Sequence, residues 1–573
     1  MCGIAGIVAP ECSRHRLALE GMCRSLAHRG PDAQGVHFYP NCGLAHTRLA
    51  IIDLATGDQP LFYDQGRLGV VFNGELYGYK EIRAGLDLPF HTTSDTELIP
   101  ALYRLHGTDM CRHLPGMFAF ALWDEPRQRL FCARDRFGEK PFYYALLPNG
   151  ELVFASELKA ILRSGLVRPV LSRKAVGEYL TLRYVPEGMT IYSTIETLPP
   201  GCALVWENGT VRVFPYWDLP LPLDPAPSYN EAKEEFARLL TQAVRRCLVA
   251  DVEVGGLLSG GLDSTTIVAL FSGDAKLRTF AFGFTGKRDE RPYAREAAAF
   301  HDLPYTELTD EIIDFPYLLR RMIEVYDEPF ADSSAIPTWM LCRLVSQHVK
   351  VAVTGDGGDE LLAGYDYWYR RLARNRYVGR WTSPGWSRCA DNHWQDITYF
   401  PEHELSAMGM PLPTRPVLAA PSDSLDDALR MDLRGFLVGD VLRKIDRAAM
   451  SHGLELRAPF LDRDLASFLI ALPWRYKSDG ETDKRLLRSA FEHLWPPLIR
   501  TRGKQGFGTD VSLWLTRPDT IPLRRYYLLE KQRRIRELIP GPVLDAYAQD
   551  TGIKAWLLFI LAMWLEHTPW EAG

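Results

Sequence analysis

The chain has 573 residues, too many for one hydrophobic core, so at least two domains are expected. Hydrophobic residues make up 46% and charged residues 24%, an ordinary globular balance, and the net charge of −6 gives no general attraction to nucleic acid or an anionic membrane. Ten scattered cysteines, at positions 2, 12, 23, 42, 111, 132, 202, 247, 342 and 389, form no CxxC pair and no zinc-spaced cluster, which fits a reducing cytosol better than a disulfide framework.

The opening MCGIAGIVAPECSRH has no basic run, and its apolar stretch stops at Pro10 and Glu11, a poor signal peptide. Short strands are then predicted over 3–8, 43–52, 68–72, 118–123, 130–134 and 152–156, with helices over 16–26 and 95–106. Turns are read at Arg29-Gly30-Pro31-Asp32 and Phe72-Asn73-Gly74. This rhythm predicts stacked antiparallel sheets with helices outside.

A proline-rich stretch at 216–229 is the expected linker between a first domain at 1–215 and a second at 230–573. A helix follows over 230–249. Strands at 254–258, 277–284 and 350–354 are each succeeded by helical sequence, the pattern of a parallel sheet covered by helices. Beyond residue 424 the chain reads as mostly helical. The apolar run 555–565 is too short to span a bilayer and reads as a buried terminal helix.

Cys2 follows only the initiator Met. Removal of that Met leaves a thiol and an α-amine on one residue, and an amine of pKa about 7.7–8.0 can serve as the thiol's own base. A second-position cysteine alone is most often a chance buried residue, so the surrounding motifs decide. They are His28-Arg29-Gly30-Pro31-Asp32, Ala45-His46-Thr47-Arg48-Leu49-Ala50-Ile51, Phe72-Asn73-Gly74-Glu75-Leu76-Tyr77 and Ser94-Asp95-Thr96-Glu97. In this order they resemble the class II, N-terminal-nucleophile glutamine amidotransferase domain over about residues 2–210. The resemblance implies an αββα sandwich with Cys2 as nucleophile. It also implies that Asn73 and the Gly74 N–H hold the oxyanion, Arg48 the glutamine carboxylate and Asp95 its ammonium, with Glu75 a further contact. Asn-Gly is equally a hairpin signal, which is the plain alternative at 73–74.

In the second half, Leu258-Ser259-Gly260-Gly261-Leu262-Asp263-Ser264 joins a strand to a helix. Its glycines, backbone N–H groups and the Ser259 and Ser264 hydroxyls suit an anion, but the Lys of a Walker loop is missing. The segment resembles the pyrophosphate loop of the adenine nucleotide α-hydrolases, which cleave ATP to AMP and pyrophosphate. Asp263 is placed for magnesium, since a carboxylate does not bind phosphate directly. The partner segment is Thr354-Gly355-Asp356-Gly357-Gly358-Asp359-Glu360. By resemblance Asp359 is the second magnesium carboxylate, Thr354 and Gly355 lie against the adenylate, and Leu258 and Phe282 frame the adenine. Well-known family members read SGEGSDE here, so Asp356, the position linked to acyl-adenylate formation, is a departure that leaves the acceptor open.

Further segments, Leu442 to Arg447, Glu455 to Asp462, Lys484 to Arg488 and Arg502-Gly503-Lys504-Gln505-Gly506-Phe507, extend the resemblance to the glutamine-hydrolysing asparagine synthetase (class B) family over roughly residues 2–515. Lys504 in its Gly-flanked loop is the expected catalytic cation and Lys484 a helper. The acceptor is expected near Asp332, Ser333, Ser334 and Arg457. The implied enzyme is a cytoplasmic ATP-dependent carbon–nitrogen ligase that takes ammonia from glutamine through a shielded apolar passage and amidates aspartate. ATP is its co-substrate and Mg2+ its metal; nucleic acid and membrane are not expected partners, and a homodimer is the assembly to test. The alternative is the same machinery acting on a uronic acid, a peptide or a secondary metabolite. A non-enzymatic sensor would be expected to have lost Cys2, Asp263 or Asp359, and all three are present.

Overall fold

The computed structural model describes residues 1–271, 277–283, 289–309, 314–374, 386–418, 421–503, 506–530 and 533–572. The chain opens with β1 (Gly3–Val8), β2 (Ala33–Phe38), β3 (Cys42–Arg48), β4 (Leu61–Tyr63), β5 (Leu68–Glu75) and β6 (Met117–Asp124). It continues with β7 (Arg129–Arg134), β8 (Tyr143–Leu146), β9 (Leu152–Ala155), β10 (Glu196–Thr197), β11 (Cys202–Glu207) and β12 (Thr210–Pro215). Among the described residues these form two six-stranded sheets, ordered β10-β8-β9-β1-β3-β2 and β12-β11-β7-β6-β5-β4.

Strand periodicity explains how the sheets stack. On β1, Ile4 and Val8 face the space between the sheets, while Ala5 and Ile7 face helix α1 (Arg16–Ser25). On β6, Ala119, Ala121 and Trp123 point inward, and Phe118, Phe120 and Leu122 pack outward with residues of α2 (Leu98–His106). Both faces of the central strands are buried, so these strands read as unbroken apolar runs. The result is the expected αββα sandwich. The predicted turn at Asn73–Gly74 is corrected: both residues lie inside β5, paired with Ala119 and Phe118 of β6. Helix α3 (Arg173–Leu182), which was not predicted, follows the sandwich.

Helix α4 (Tyr229–Arg246) opens with a capping box in which the Ser228 side chain accepts from the Glu231 N–H and Glu231 accepts from the Ser228 N–H. After it come β13 (Val254–Leu257), α5 (Leu262–Phe271), β14 (Arg278–Phe282), β15 (Tyr305–Leu308), α6 (Ala335–Val345), β16 (Val351–Val353), α7 (Arg443–Met450) and β17 (Glu455–Arg457). All five strands are parallel, in the order β15-β14-β13-β16-β17. The chain moves outward from β13 in one direction and then resumes at β16 on its other side. The crevice beyond these two neighbouring strands is therefore a topological switch point, where open α/β sheets hold their ligands. Helix α8 (Ile553–His567) buries every residue from Ala555 to Leu565, as its apolar run requires, and Tyr179 of α3 donates to its Leu557 carbonyl. No described helix is long and apolar enough to cross a membrane.

Candidate functional site

The first group of predicted residues gathers where the two sheets of the sandwich meet. Cys2 immediately precedes β1, Arg48 ends the neighbouring β3, and Asn73, Gly74 and Glu75 end β5 of the opposite sheet. The Cys2 N–H donates to Asn73 Oδ1 at 2.9 Å, which ties the sheets together at this point. Asn73 is fully buried, and its Nδ2 meets no acceptor among the described residues. A buried amide with unused hydrogens is what an oxyanion needs. Gly74 is required by packing: a Cβ there would stand 2.2 Å from the Met117 carbonyl oxygen.

Burial pushes the Cys2 thiol up, opposed by the nearby N-terminal charge and the Leu49 N–H. Asp95 accepts from the Leu76 N–H at 3.0 Å; burial raises its carboxyl to about 6 despite that bond. Arg48 is engaged by Asp58 at 2.8 Å and by the Asp53 carbonyl. Glu75 turns Oε2 towards Arg457 of β17, 3.2 Å away, and burial still pushes its carboxyl well up. The Met1 ammonium lies 2.8 Å from Glu455, in the same buried ionic group. Burial alone would raise Glu455, but the N-terminal charge and Arg457 bring it down to about 2.

The second group converges on the switch point. Ser259 and Ser264 hydroxyls are 3.0 Å apart, and the Gly261 N–H donates to Ser259 Oγ at 3.2 Å. Gly260 adopts φ +67°, and a Cβ on it would stand 2.4 Å from the Tyr293 Cβ. The two acidic segments touch directly, since a Cβ on Gly355 would meet Asp263 Cβ at 2.9 Å and one on Gly358 would meet Asp263 Oδ1 at 2.9 Å. Lys484 places its ammonium between the two predicted magnesium carboxylates, pairing with Asp263 and standing 2.6 Å from Asp359 Oδ1. Two carboxylates converging on one cation are a hard-oxygen donor set that fits a magnesium ion. Leu258 and Phe282 are buried, 1% and 4% exposed, and pack into two different hydrophobic clusters.

Lys504 lies outside the described residues. Its neighbour Arg502, given no role from sequence, caps the loop: Nη1 donates to the Ser259 carbonyl at 2.8 Å and Nη2 to Glu290 at 2.8 Å. The RGK motif was visible, but nothing in its spacing said which cation would reach the serine loop.

The residues expected near the acceptor divide between two sets of partners. Just before α6, the Ser334 N–H and hydroxyl donate to Asp332, which pairs with Lys444 at 2.6 Å, and a Cβ on Gly508 would meet Ser333 Oγ at 2.7 Å. Arg457 is not with them. It is fully buried against Glu455, Glu75 and the Cys247 and Val249 carbonyls, while its own carbonyl accepts from the Thr354 N–H at 2.9 Å.

Between the two groups lies a cavity of about 20 Å³, room for about one water-sized molecule. Met1 and Asp356 are both in its lining, and Asp356 is linked to the Thr354 hydroxyl. Leu442, Ile445, Ala449, Leu456 and Ala458 contribute apolar walls. The purely apolar lining expected is not found: Glu139, Lys140, Asp446 and Arg457 also face it. Asp446 and Arg457 are tolerated there because Arg29, Glu455 and Glu75 neutralise them.

A cysteine at the edge of an antiparallel sandwich and a Gly-rich loop on a parallel sheet define a class of proteins with two candidate sites in one chain. Residues 1–217 match the glutamine amidotransferase domain model and residues 235–566 the asparagine synthase model. The chain belongs to the glutamine-hydrolysing asparagine synthetase family. Glutamine-hydrolysing asparagine synthetase 1 of Bacillus subtilis is 28% identical over 98% of this chain and 96% of its own. Synthetase 2 of the same organism is 30% identical over 89% of this chain and 72% of its own. Amidase chry2 of Gibberella zeae is 34% identical over 64% of this chain and 60% of its own. A solved glutamine phosphoribosylpyrophosphate amidotransferase of B. subtilis is 17% identical over 53% of this chain and 65% of its own, at a TM-score of 0.29, which supports no inference.

Proposed function

We propose that this protein is a glutamine-dependent asparagine synthetase, in which Cys2 releases ammonia from glutamine and the second site amidates ATP-activated aspartate. The observation that carries the proposal is the cavity with Met1 on one wall and Asp356 on another; loss of Met1 would extend it towards Cys2. Ammonia is nucleophilic only when neutral, and a closed route keeps it from being protonated in water.

In this reading Met1 is removed, the freed Cys2 amine takes the thiol proton, and the thiolate attacks the glutamine side-chain amide. Asn73 Nδ2 and the Gly74 N–H receive the oxyanion, ammonia leaves, and water later releases glutamate from the thioester. Arg48 is assigned to the glutamine carboxylate, which must displace Asp58, and Asp95 to the ammonium. Glu75 is assigned to holding Arg457 as well as to glutamine.

At the second site the Ser259–Ser264 loop and the start of α5 hold the pyrophosphate of ATP, with Thr354 and Gly355 against the adenylate. Asp263 and Asp359 would hold magnesium, which supplies charge neutralisation to the phosphates when bound; Lys484 then moves from the carboxylates to the phosphates. Aspartate attacks the α-phosphorus to give β-aspartyl-AMP and pyrophosphate, next to Asp356. Ammonia displaces AMP to give asparagine, with Lys504 assigned to the developing charge. The domain limits proposed are 1–215 and 230–573, joined by 216–229, and the proposed compartment is the cytoplasm. The Asp356 departure supports the second reading, a different carboxylate.

The test is purified protein with glutamine, ATP and a panel of carboxylates, following glutamate, AMP, pyrophosphate and amide product. Cys2→Ala should lose glutamate release and keep ammonia-dependent synthesis. Asp263→Asn should lose pyrophosphate release and keep part of the glutaminase. AMP formation that ignores aspartate but follows another carboxylate would replace the first reading with the second.

A further inference from the structure

Helix α7 carries the sequence Arg443-Lys444-Ile445-Asp446-Arg447 and follows directly on a π-helical turn at Leu437–Leu442. Its charged side chains turn into the protein rather than out to water, and each has a defined partner. Arg443 reaches Glu328 and Glu187, Lys444 reaches Asp332, and Arg447 reaches Glu157. Asp446 makes the most specific contact. Its two oxygens each accept from Arg29, at 2.9 Å from Nη1 and 2.9 Å from Nη2.

Arg29 is fully buried, and its remaining Nε donates to the Cys2 carbonyl at 3.1 Å. One planar cation thus grips the backbone of the nucleophile on one edge and a carboxylate 417 residues away on the other. The fork geometry of guanidinium and carboxylate fixes direction as well as distance. Glu157 also accepts from Arg29 Nη1 at 2.9 Å, so the charge keeps a counter-ion even without Asp446, but the orientation does not.

We propose that Asp446, acting through Arg29, is a positioning residue for Cys2, so that glutamine hydrolysis depends on the docked second half of the chain. Two residues along the same helix, Lys444 holds Asp332 beside the Ser333 loop that Gly508 abuts. The candidate nucleophile and the Ser333 loop are thereby fastened to one helix. Displacement of a nucleophile by about 1 Å can cost about a hundredfold in rate. The inference rests on Cys2 being the glutaminase nucleophile.

The experiment measures glutamate release by the full chain carrying Asp446→Asn. The expected result is a kcat for glutamate release at least tenfold lower with glutamine KM within threefold, because the binding residues are untouched. Asp446→Glu keeps the charge but displaces the carboxylate by one methylene. It should lose at least threefold and less than the Asn variant, and it carries the same measurement if Asp446→Asn does not fold. Wild-type glutamate release in either variant overturns the inference. So does normal glutamate release with less asparagine formed per glutamate, which would make Asp446 only a wall of the cavity. Cys2→Ala run alongside separates the two levels: if it still releases glutamate, the underlying site assignment fails; if it is inert while Asp446→Asn is fast, only this inference fails.

Discussion

The Lys484 ammonium stands 2.6 Å from Asp359 Oδ1 and pairs at the same time with Asp263, on a residue whose backbone has φ +49°. A lysine therefore occupies the position between two carboxylates that were read from sequence as a magnesium pair. Burial works against its charge, but Asp263 and Asp359 overcome that and hold its pKa above the ordinary lysine value. Lys484→Ala should leave the two carboxylates facing each other and cost about 3–5 kcal/mol of stability. Adding Mg2+ without nucleotide should return most of it, visible as a melting-temperature rise larger than the wild type shows. An equal Mg2+ response in both proteins would mean that the carboxylates do not share a cation.

Asn73 is the test of the oxyanion assignment. Asn73→Ala removes both the bond to the Cys2 N–H and the unused Nδ2 hydrogens. Loss of one such donor costs about 10²–10³ in kcat. Ammonia-dependent synthesis should change less than twofold, and a parallel fall in both activities would make Asn73 a purely structural tie.

Asp95 sets a pH dependence. Its carboxyl is raised to about 6 in the free protein, with burial the main cause. It must be ionised to attract the glutamine ammonium. The kcat/KM for glutamine should therefore fall about tenfold more per unit below pH 6 than the titration of the Cys2 amine alone would cause, the extra loss entering through KM. Asp95→Asn should give a low value without that inflection, measured by glutamate release from pH 5 to 8.

Ala449 lines the cavity and is fully buried. Ala449→Leu fills the space at a cost of about 1–3 kcal/mol from overpacking. Glutamate release should persist while asparagine formed per glutamate drops severalfold, and added ammonia should not restore the ratio. Unchanged stoichiometry would show that ammonia takes another way.

The candidate sites were legible because their chemistry is local: Ser259 to Ser264 and Thr354 to Asp359 each lie within one strand-to-helix turn, and the structure brings the two turns into contact. Strand positions were also legible where apolar runs were long, as in β1 and β6. The β11–β12 hairpin was missed although Asn208-Gly209 marks it plainly, with both residues at positive φ. The opposite error was made at Asn73-Gly74, the same dipeptide read as a turn, which lies within the end of β5, where the Met117 carbonyl leaves no room for a side chain at position 74. Arg457 was assigned to the acceptor because it lies in a motif, but its direction depends on Glu75 across the interface and on Glu455 of its own strand.

By itself, then, the order of residues determined the two kinds of sheet and singled out a candidate nucleophile and a candidate anion loop, since periodicity and short motifs act over a few neighbouring positions. Only the tertiary structure decided which charge answers which: Asp446 to Arg29, Lys484 to Asp263 and Asp359, Arg457 to Glu75. The partners in these pairs lie more than a hundred residues apart, and a buried charge is specified by whatever opposite charge packing brings within hydrogen-bond reach, a property of the folded chain and of no segment in it.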